Sequence, residues 1–170
     1  NRTKHDRIKC VIVGQDPYFK IGEAHGFSFS VKKPFTEIPP SLKNIFNEIR
    51  ESYNLSEFKP KTGDLSPWSG EGVLLLNSIL TVSPGKPLSH ENCGWKEFTN
   101  SLLSLVRVKN PNCVFAAFGR YAQESCKEAS IFDIVEAGHP SPKNTFNPFR
   151  GSGVFLEINR LLIRKNIRPI

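Results

Sequence analysis

The sequence predicts an α/β fold, a three-layer α/β/α domain built on a central four-stranded, mainly parallel sheet. Four short apolar runs alternate along the chain with four amphipathic helical patterns, and this alternation is typical of parallel sheets with helices on both faces. The runs are continuously apolar, as expected for strands that are covered on both sides. A length of 170 residues suits one compact core, so we expect residues 1–170 to form a single domain.

The strands are predicted where the apolar runs lie, at residues 9–14, 73–76, 114–119 and 132–137. Asn77 directly follows the second of these runs. The segments between them are of three kinds. Residues 15–40 are irregular and rich in Gly, Phe and Pro, residues 54–70 form a polar connection, and residues 81–94 form a loop.

Apolar residues at helical spacing predict the helices. The first helix begins at residues 39–41, where Ser41 is a suitable N-cap. A second is predicted over residues 95–106, a short one over 120–129 and a last one over 154–165. The apolar stripes of the three longer helices are Leu42, Ile45, Phe46 and Ile49; Phe98, Leu102, Leu105 and Val106; and Phe155, Ile158, Leu161 and Leu162.

Charge and cysteine content narrow the class of protein. Lys and Arg number 23 against 16 Asp and Glu, and the resulting net charge of +7 favours an anionic partner, most commonly nucleic acid. The four cysteines form no Cys-x-x-Cys pair, so we expect a reduced intracellular protein without a zinc site or disulfides. No apolar run approaches the roughly 20 residues that span a membrane, and no membrane partner is expected. The compartment stays open between a prokaryotic cytoplasm and the nucleus of a eukaryotic or viral host.

Three polar residues follow predicted strands and indicate where chemistry takes place. Asp16, Asn77 and His139 each lie just beyond a strand, and parallel α/β folds bind ligands beyond the carboxyl ends of their strands. A carboxylate, an amide that can read a nucleobase edge and a tunable imidazole form a credible active site. Phe29 offers a flat face on which a base can stack. No set of metal ligands competes with this interpretation.

Each of these residues also has a purely structural interpretation. Asp16 before Pro17 can shape a turn, Asn77 can cap one, and His139 can bond to loop backbone. A small-molecule hydrolase and a nucleotide-binding domain also stay open on the residues alone. The absence of a Gly-rich phosphate loop and of a Gly-x-Ser-x-Gly elbow disfavours both.

Six motifs together resemble the family 1 uracil-DNA glycosylases. They are GQDPY at 14–18, AHGFSFS at 24–30, PPSLKN at 39–44, GVLLLN at 72–77, LTV with SH and GW within 80–95, and GHPSP at 138–142. Their order and spacing match over nearly the whole chain. The resemblance implies a four-stranded α/β/α domain that hydrolyses the glycosidic bond of uracil in DNA without a metal or cofactor. Relative to the family pattern, we expect residues 1–170 to lack the helical segment that the family usually carries before its first strand.

The resemblance assigns roles to individual residues. Asp16 matches the catalytic aspartate that assists water and offsets positive charge on the sugar. His139 matches the histidine that donates to uracil O2 as the base leaves. The residues that match the uracil pocket are Gln15 at its floor, Tyr18 beside C5, Phe29 as the stacking ring and Asn77 at the N3 and O4 edge.

The resemblance also implies the partners. Uracil-containing DNA, single- or double-stranded, is the expected substrate of a monomeric enzyme, and a DNA-mimicking inhibitor protein is a further expected partner. The residues expected to contact DNA lie in three loops rich in Ser and Pro. They are Pro39, Pro40, Ser41, Ser89, His90, Ser141 and Pro142, followed by Lys143 and Phe146.

Two positions depart from the family pattern. Phe19 stands where a histidine usually follows the tyrosine, and Lys143 stands where a leucine usually enters the duplex. We predict that Phe146 or Phe149 supplies the apolar wedge instead. These departures leave open a preference for single-stranded DNA. Two rival functions also stay open, a non-catalytic DNA-binding member of the fold, such as a polymerase accessory factor, and a glycosylase of broader base choice.

Overall fold

The computed structural model describes residues 3–32, 37–145 and 148–170. Within these residues, four strands form one sheet in the order β2-β1-β3-β4, and every neighbouring pair is parallel. The strands are β1 (Cys10–Gly14), β2 (Val73–Asn77), β3 (Val114–Phe118) and β4 (Ile134–Ala137). The predicted four-stranded parallel sheet is therefore confirmed.

Helices cover both faces of the sheet and complete the three predicted layers. They are α1 (Pro40–Ser52), α2 (Ser66–Gly70), α3 (Trp95–Lys109), α4 (Arg120–Glu128) and α5 (Val154–Arg164), and a short 3₁₀ turn (His5–Arg7) precedes β1. Buried side chains of α1 and α5 pack on one face of the sheet, and those of α3 and α4 pack on the other. No described helix is both long and apolar enough to cross a bilayer.

The central strand β1 shows why the apolar runs are continuous. Cys10 and Ile12 belong to the core beneath α1 and α5, whereas Val11 and Val13 belong to the core beneath α3 and α4. Successive side chains of a strand point to opposite faces, so a strand covered on both sides needs an apolar residue at every position.

The strand ends are level with one another, and this alignment builds the site. Gly14 of β1 pairs with Asn77 of β2, and the Ser78 amide donates to the Gly14 carbonyl oxygen at 3.0 Å. On the other side, the Gly119 amide donates to the Ala137 carbonyl oxygen at 3.0 Å. The segments that follow β1, β2 and β4 therefore leave the sheet at the same edge.

Two local predictions were wrong. Ser41 does not cap the first helix, because α1 begins at Pro40 after Pro39 and has no side-chain cap. Proline is well suited to the first helical position, where its missing N–H group has no partner to lose. The predicted polar connection also contains α2, whose five residues are too few to show helical periodicity.

The buried face of α3 differs from the predicted apolar face by a rotation of about one residue around the helix axis. Thr99, Leu103 and Val106 are the buried side chains, whereas Phe98 is 55% exposed and Leu105 is also exposed. The Thr99 hydroxyl donates to the Ser78 carbonyl oxygen at 2.9 Å and so faces the sheet although it is polar. This hydrogen bond satisfies a buried polar side chain on a face that apolar spacing alone did not identify.

The four cysteines are all free thiols. Cys10, Cys113 and Cys126 are buried, and Cys93 is exposed. Burial raises the pKa of the Cys113 and Cys126 thiols to about 12, so both remain neutral core side chains at neutral pH.

Candidate active site

A cavity of about 900 Å³ opens beyond the carboxyl ends of the strands. Its lining brings together five of the residues singled out in the sequence, namely Gln15, Asp16, Tyr18, Phe29 and His139. Asp16 and His139 lie far apart in the chain and meet here because β1 and β4 end at the same edge. A cavity of this size lies within the range that small-molecule ligands occupy.

Asp16 is held in a defined orientation by two hydrogen bonds. The Gln15 side-chain amide donates to Oδ1 at 3.0 Å, and the Leu88 backbone amide donates to Oδ2 at 2.7 Å. The second bond ties the carboxylate to the loop at 81–94. Leu88 has a positive φ of 61°, a conformation that costs a non-glycine residue energy and that a bond of this kind helps to maintain. The carboxylate is thus oriented before any ligand arrives.

His139 is held as a neutral imidazole with a defined tautomer. The Ser141 backbone amide donates to Nδ1 at 3.1 Å, so the proton of the neutral ring resides on Nε2. Burial lowers the pKa of His139, and the nearby Asp16 carboxylate opposes this effect only in part. The ring therefore offers an N–H donor at Nε2 and carries no charge at neutral pH.

Phe29 and Tyr18 form one wall of the cavity. The Phe29 ring lies 5.7 Å from the Phe118 ring and 6.2 Å from the His139 ring, centroid to centroid. Its backbone has a positive φ of 62°, and the Tyr18 hydroxyl donates to its carbonyl oxygen at 3.0 Å. Burial raises the pKa of Tyr18, so the hydroxyl stays protonated as a donor.

Asn77 is buried beside this wall but does not line the main cavity. It lines a neighbouring cavity of about 530 Å³ that shares Tyr18, Phe19 and Phe27 with the first. Asn77 and the Phe29 ring nevertheless both lie close to Gly14. A Cβ atom placed on Gly14 would lie 2.7 Å from the Asn77 Oδ1 atom and 2.9 Å from the Phe29 ring.

This close approach makes Gly14 a testable position. We expect Gly14→Ala to displace Asn77 and Phe29, because real Cβ atoms do not approach neighbours to such distances. Ligand binding and activity should fall at least tenfold while the sheet survives, since Gly14 ends β1. Activity and thermal melting should be measured beside Gly70→Ala, because a Cβ atom at Gly70 meets open space. Equal activity in the two variants would contradict the prediction.

The loops expected to contact DNA surround the cavity unevenly. Pro39, Pro40, Ser41, Ser141, Pro142 and Lys143 all line it. Ser89 and His90 lie outside its lining, in the loop that carries Leu88. The Ser89 hydroxyl accepts the Ser83 amide at 2.7 Å, and the two His90 ring nitrogens lie 2.8 Å from the Thr81 hydroxyl and 3.0 Å from the Ser83 hydroxyl. Phe146 lies outside the described residues.

The two unusual aromatic positions differ in their surroundings. Phe149 is only 3% exposed, with its ring 4.9 Å from Phe118 and 6.4 Å from Phe155. The prediction that Phe149 can act as a wedge is therefore wrong, because the residue is part of the core. Phe19 is 40% exposed and lines both cavities.

Several contributors to the site were missed in the sequence. Leu88 acts through its backbone amide, and no property of a leucine side chain signals that. Gly119 was predicted only as a strand end, but its φ is 90° and a Cβ atom there would lie 2.8 Å from the His139 Cβ atom. Arg120 and Tyr121 also line the cavity, and their position directly after a strand was the available signal. The described residues hold no cluster of three or more potential metal ligands.

Comparison with known proteins places this geometry in a family. The sequence profile of the uracil DNA glycosylase superfamily matches residues 3–163. A uracil-DNA glycosylase from Buchnera aphidicola is 42% identical over 99% of this chain and 76% of its own length. One from Acinetobacter baylyi is 40% identical over 100% of this chain and 72% of its own length.

Solved structures agree with the sequence comparisons. A crystal structure of mimivirus uracil-DNA glycosylase has a TM-score of 0.84 and 29% identity, and the match covers 98% of this chain and 68% of that one. A mimivirus variant crystallised with the protein UGI gives the same TM-score over 96% of this chain. A structure from Nitratifractor salsuginis, with a TM-score of 0.59 and 17% identity, shares the fold.

Proposed function

Because the chain belongs to the uracil-DNA glycosylase superfamily, we propose that it hydrolyses the N-glycosidic bond of deoxyuridine in DNA. The products are free uracil and an abasic site, as in base excision repair. The observation that carries the proposal is the position of Asp16 and a neutral His139 on the lining of one cavity. This arrangement supports an enzyme over a protein that only binds DNA, because binding alone requires neither residue.

Asp16 and His139 stabilise the two charges that the reaction creates. Breaking the glycosidic bond leaves positive charge on the deoxyribose and negative charge on the departing base. Asp16, oriented by Gln15 and Leu88, stabilises the sugar cation and orients the attacking water. His139 donates its Nε2 proton in a hydrogen bond to uracil O2. One preorganised group of this kind typically contributes about 10² to 10³ in rate.

The walls of the main cavity, together with Asn77 in the neighbouring cavity, give the proposed selectivity for uracil. The Phe29 ring stacks on the base, and Asn77 reads its N3 and O4 edge with one donor and one acceptor. The Tyr18 ring occupies the space beside C5 and so excludes the methyl group of thymine. Gln15 completes the floor. Strict selection by Tyr18 and Asn77 favours this function over a glycosylase of broader base choice.

DNA binding is proposed to rest on the loops at the cavity rim. A base must leave the stack before it can enter, at a cost of a few kcal/mol, and contacts to phosphates offset that cost. Ser41 and Ser141 line the cavity and donate to the backbone, and Ser89 and His90 extend the contact along the loop of Leu88. The stem of Lys143 enters the duplex while its ammonium group contacts phosphate, and Phe146 is the proposed apolar wedge.

Two statements about partners complete the proposal. The protein acts as a monomer, and a DNA-mimicking inhibitor such as UGI, which is bound in a similar mimivirus structure, competes for the same basic rim. Gel filtration of the chain with UGI tests both statements. Separate elution of the two proteins would reject the second.

A direct assay tests the function. The purified protein is incubated in EDTA with matched single- and double-stranded oligonucleotides that contain uracil, thymine or cytosine, and alkali then cleaves the abasic sites. We expect cleavage at uracil alone, with a rate that falls as salt rises. Faster cleavage of the single strand would support a role for Phe19 and Lys143 in strand preference. Salt-sensitive DNA binding without any cleavage would overturn the proposed function.

A further inference from the structure

One face of α1 holds both ends of the segment that joins β4 to α5. This connecting loop, residues 138–153, carries His139 near its start and ends at Gly153, directly before α5. The Asn44 side-chain amide donates to the Pro140 carbonyl oxygen at 2.8 Å. Four residues further along α1, Glu48 accepts the backbone amides of Gly151 and Gly153. Residues four apart on a helix share a face, so a single rigid element sets both ends of the loop.

Glu48 is an unusual residue for this place. Its side chain is 1% exposed, and a fully buried glutamate is rare unless its charge is satisfied. Oε2 lies 2.6 Å from the Gly151 amide, Oε1 lies 2.8 Å from the Gly153 amide, and the Ser52 hydroxyl donates to Oε1 at 3.0 Å. Hydrogen bonds to an ionised acceptor are about twice as strong as neutral ones.

The two glycines at the far end of the loop adopt backbone conformations that bring their amides to the Glu48 carboxylate. Gly151 has a φ of 77° and Gly153 a φ of 66°, conformations that glycine adopts without strain. They turn two amides, two residues apart in the chain, onto one carboxylate. Nothing in the proposed chemistry uses Glu48, so its burial has to be explained by what it holds.

We propose that Glu48 is a positioning residue for DNA binding, which fixes the far end of the connecting loop so that its near end meets the phosphate backbone in a defined geometry. The inference rests on the proposed function, because DNA is the ligand concerned. Ser141, Pro142 and Lys143, which line the cavity, lie between the two points of attachment. Loosening the backbone at Gly151 and Gly153, next to the buried Phe149, increases the entropy that DNA must remove from this loop on binding. Apart from His139, which directly follows β4 at the near end of the loop, the base pocket is attached elsewhere, through β1, β2 and Tyr18.

Glu48→Gln is the variant that tests the inference. Glutamine keeps the volume but presents an NH₂ group where one backbone amide needs an acceptor, so one of the two loop contacts is lost. We expect the KM for a uracil-containing duplex to rise roughly tenfold, with kcat and the inhibition constant of free uracil within about twofold of the parent. If Glu48 only stabilised the fold, its replacement would not raise KM while leaving kcat unchanged.

Two controls lie on the same helix. Glu51→Gln removes the ion pair between Glu51 and Arg150. Both side chains of this pair are exposed, so we expect little change in KM or kcat. Ser52→Ala removes only the third bond to Glu48 and leaves both loop contacts. If Glu48→Gln does not fold, Glu48→Asp keeps the charge but shortens the reach, and it carries the same expected rise in KM. An unchanged KM in the folded variant, or a parallel loss of KM, kcat and uracil affinity, would overturn the inference.

The test separates this inference from the function on which it rests. Fluorescence anisotropy measures the binding of a labelled duplex that contains no uracil and so needs no catalysis. A tenfold weaker binding by Glu48→Gln supports the positioning role even if the parent releases no uracil, whereas equal binding rejects it. Absence of uracil release by the parent protein is instead a failure of the proposed function.

Discussion

We expect Asp16→Asn to slow uracil release by roughly 10³-fold under single-turnover conditions. The substitution keeps the shape of the side chain but removes the charge that opposes the sugar cation. In the parent, the Gln15 and Leu88 donors bind the two carboxylate oxygens at 3.0 and 2.7 Å. In the variant, these donors face an NH₂ group or a weaker acceptor. Both effects act on the transition state more than on the bound substrate, so kcat should fall and DNA affinity should change little.

A matched control separates this effect from a general loss of negative charge. Asp133 is exposed and directly precedes β4, at the opposite edge of the sheet, so Asp133→Asn should leave the rate unchanged. Rates should be measured with enzyme in excess over a uracil-containing single strand, which avoids any limit from product release. A loss of less than tenfold in Asp16→Asn would contradict the assigned role.

The second large effect is expected for His139→Gln, which should slow the reaction by about 10² to 10³. The variant loses the Nε2 donor that the bond from the Ser141 amide to Nδ1 now orients. Because the pKa of His139 is lowered from its ordinary value by burial, the parent enzyme should show no change in rate due to this residue between about pH 6.5 and 8. A parent rate that declines as the pH rises across that range, with no such decline in His139→Gln, would contradict the assignment of His139 as a neutral donor.

The same lowered pKa makes a prediction for stability. The unfolded chain binds a proton at this histidine below about pH 6.5, whereas the folded protein resists protonation until a lower pH. Unfolding therefore takes up a proton in this interval, and the parent loses stability as the pH falls through it. His139→Gln should lose less stability over the same interval, and His5→Gln, at an exposed position, should behave like the parent. Denaturant melts at pH 7 and pH 5.5 measure the difference.

The sheet was predictable from the sequence because its strands are covered on both faces. The residues of β1 and β3 are all buried, so nothing in these runs conflicts with a strand. Helix faces were less predictable. Phe98 lies at the surface and Thr99 in the core, where the Ser78 carbonyl oxygen accepts the Thr99 hydroxyl, so apolar spacing alone misplaced the buried face of α3.

Some features of the candidate site were likewise predictable from the sequence, and others were not. Asp16, Asn77 and His139 were predictable because side chains with chemical character follow the strands. The contacts that orient them were not, since the Leu88 and Ser141 amides act through backbone that any residue supplies. Phe149 shows the opposite error, where an aromatic residue in an unusual loop suggested surface function but belongs to the core.

The order of the strands has a consequence for how the protein is made. Among the four strands described, β1 comes first in the sequence, yet it lies in the interior of the sheet, between β2 and β3. Its partners β2 (Val73–Asn77) and β3 (Val114–Phe118) follow much later in the chain. During synthesis this fully apolar strand therefore has both edges unpaired until β2 is made and one edge unpaired until β3 is made, a condition that favours aggregation. His139 follows β4, the last of the four described strands. Nascent chains therefore expose the apolar β1 before its partner strands are available, so β1 is where we expect a chaperone to bind.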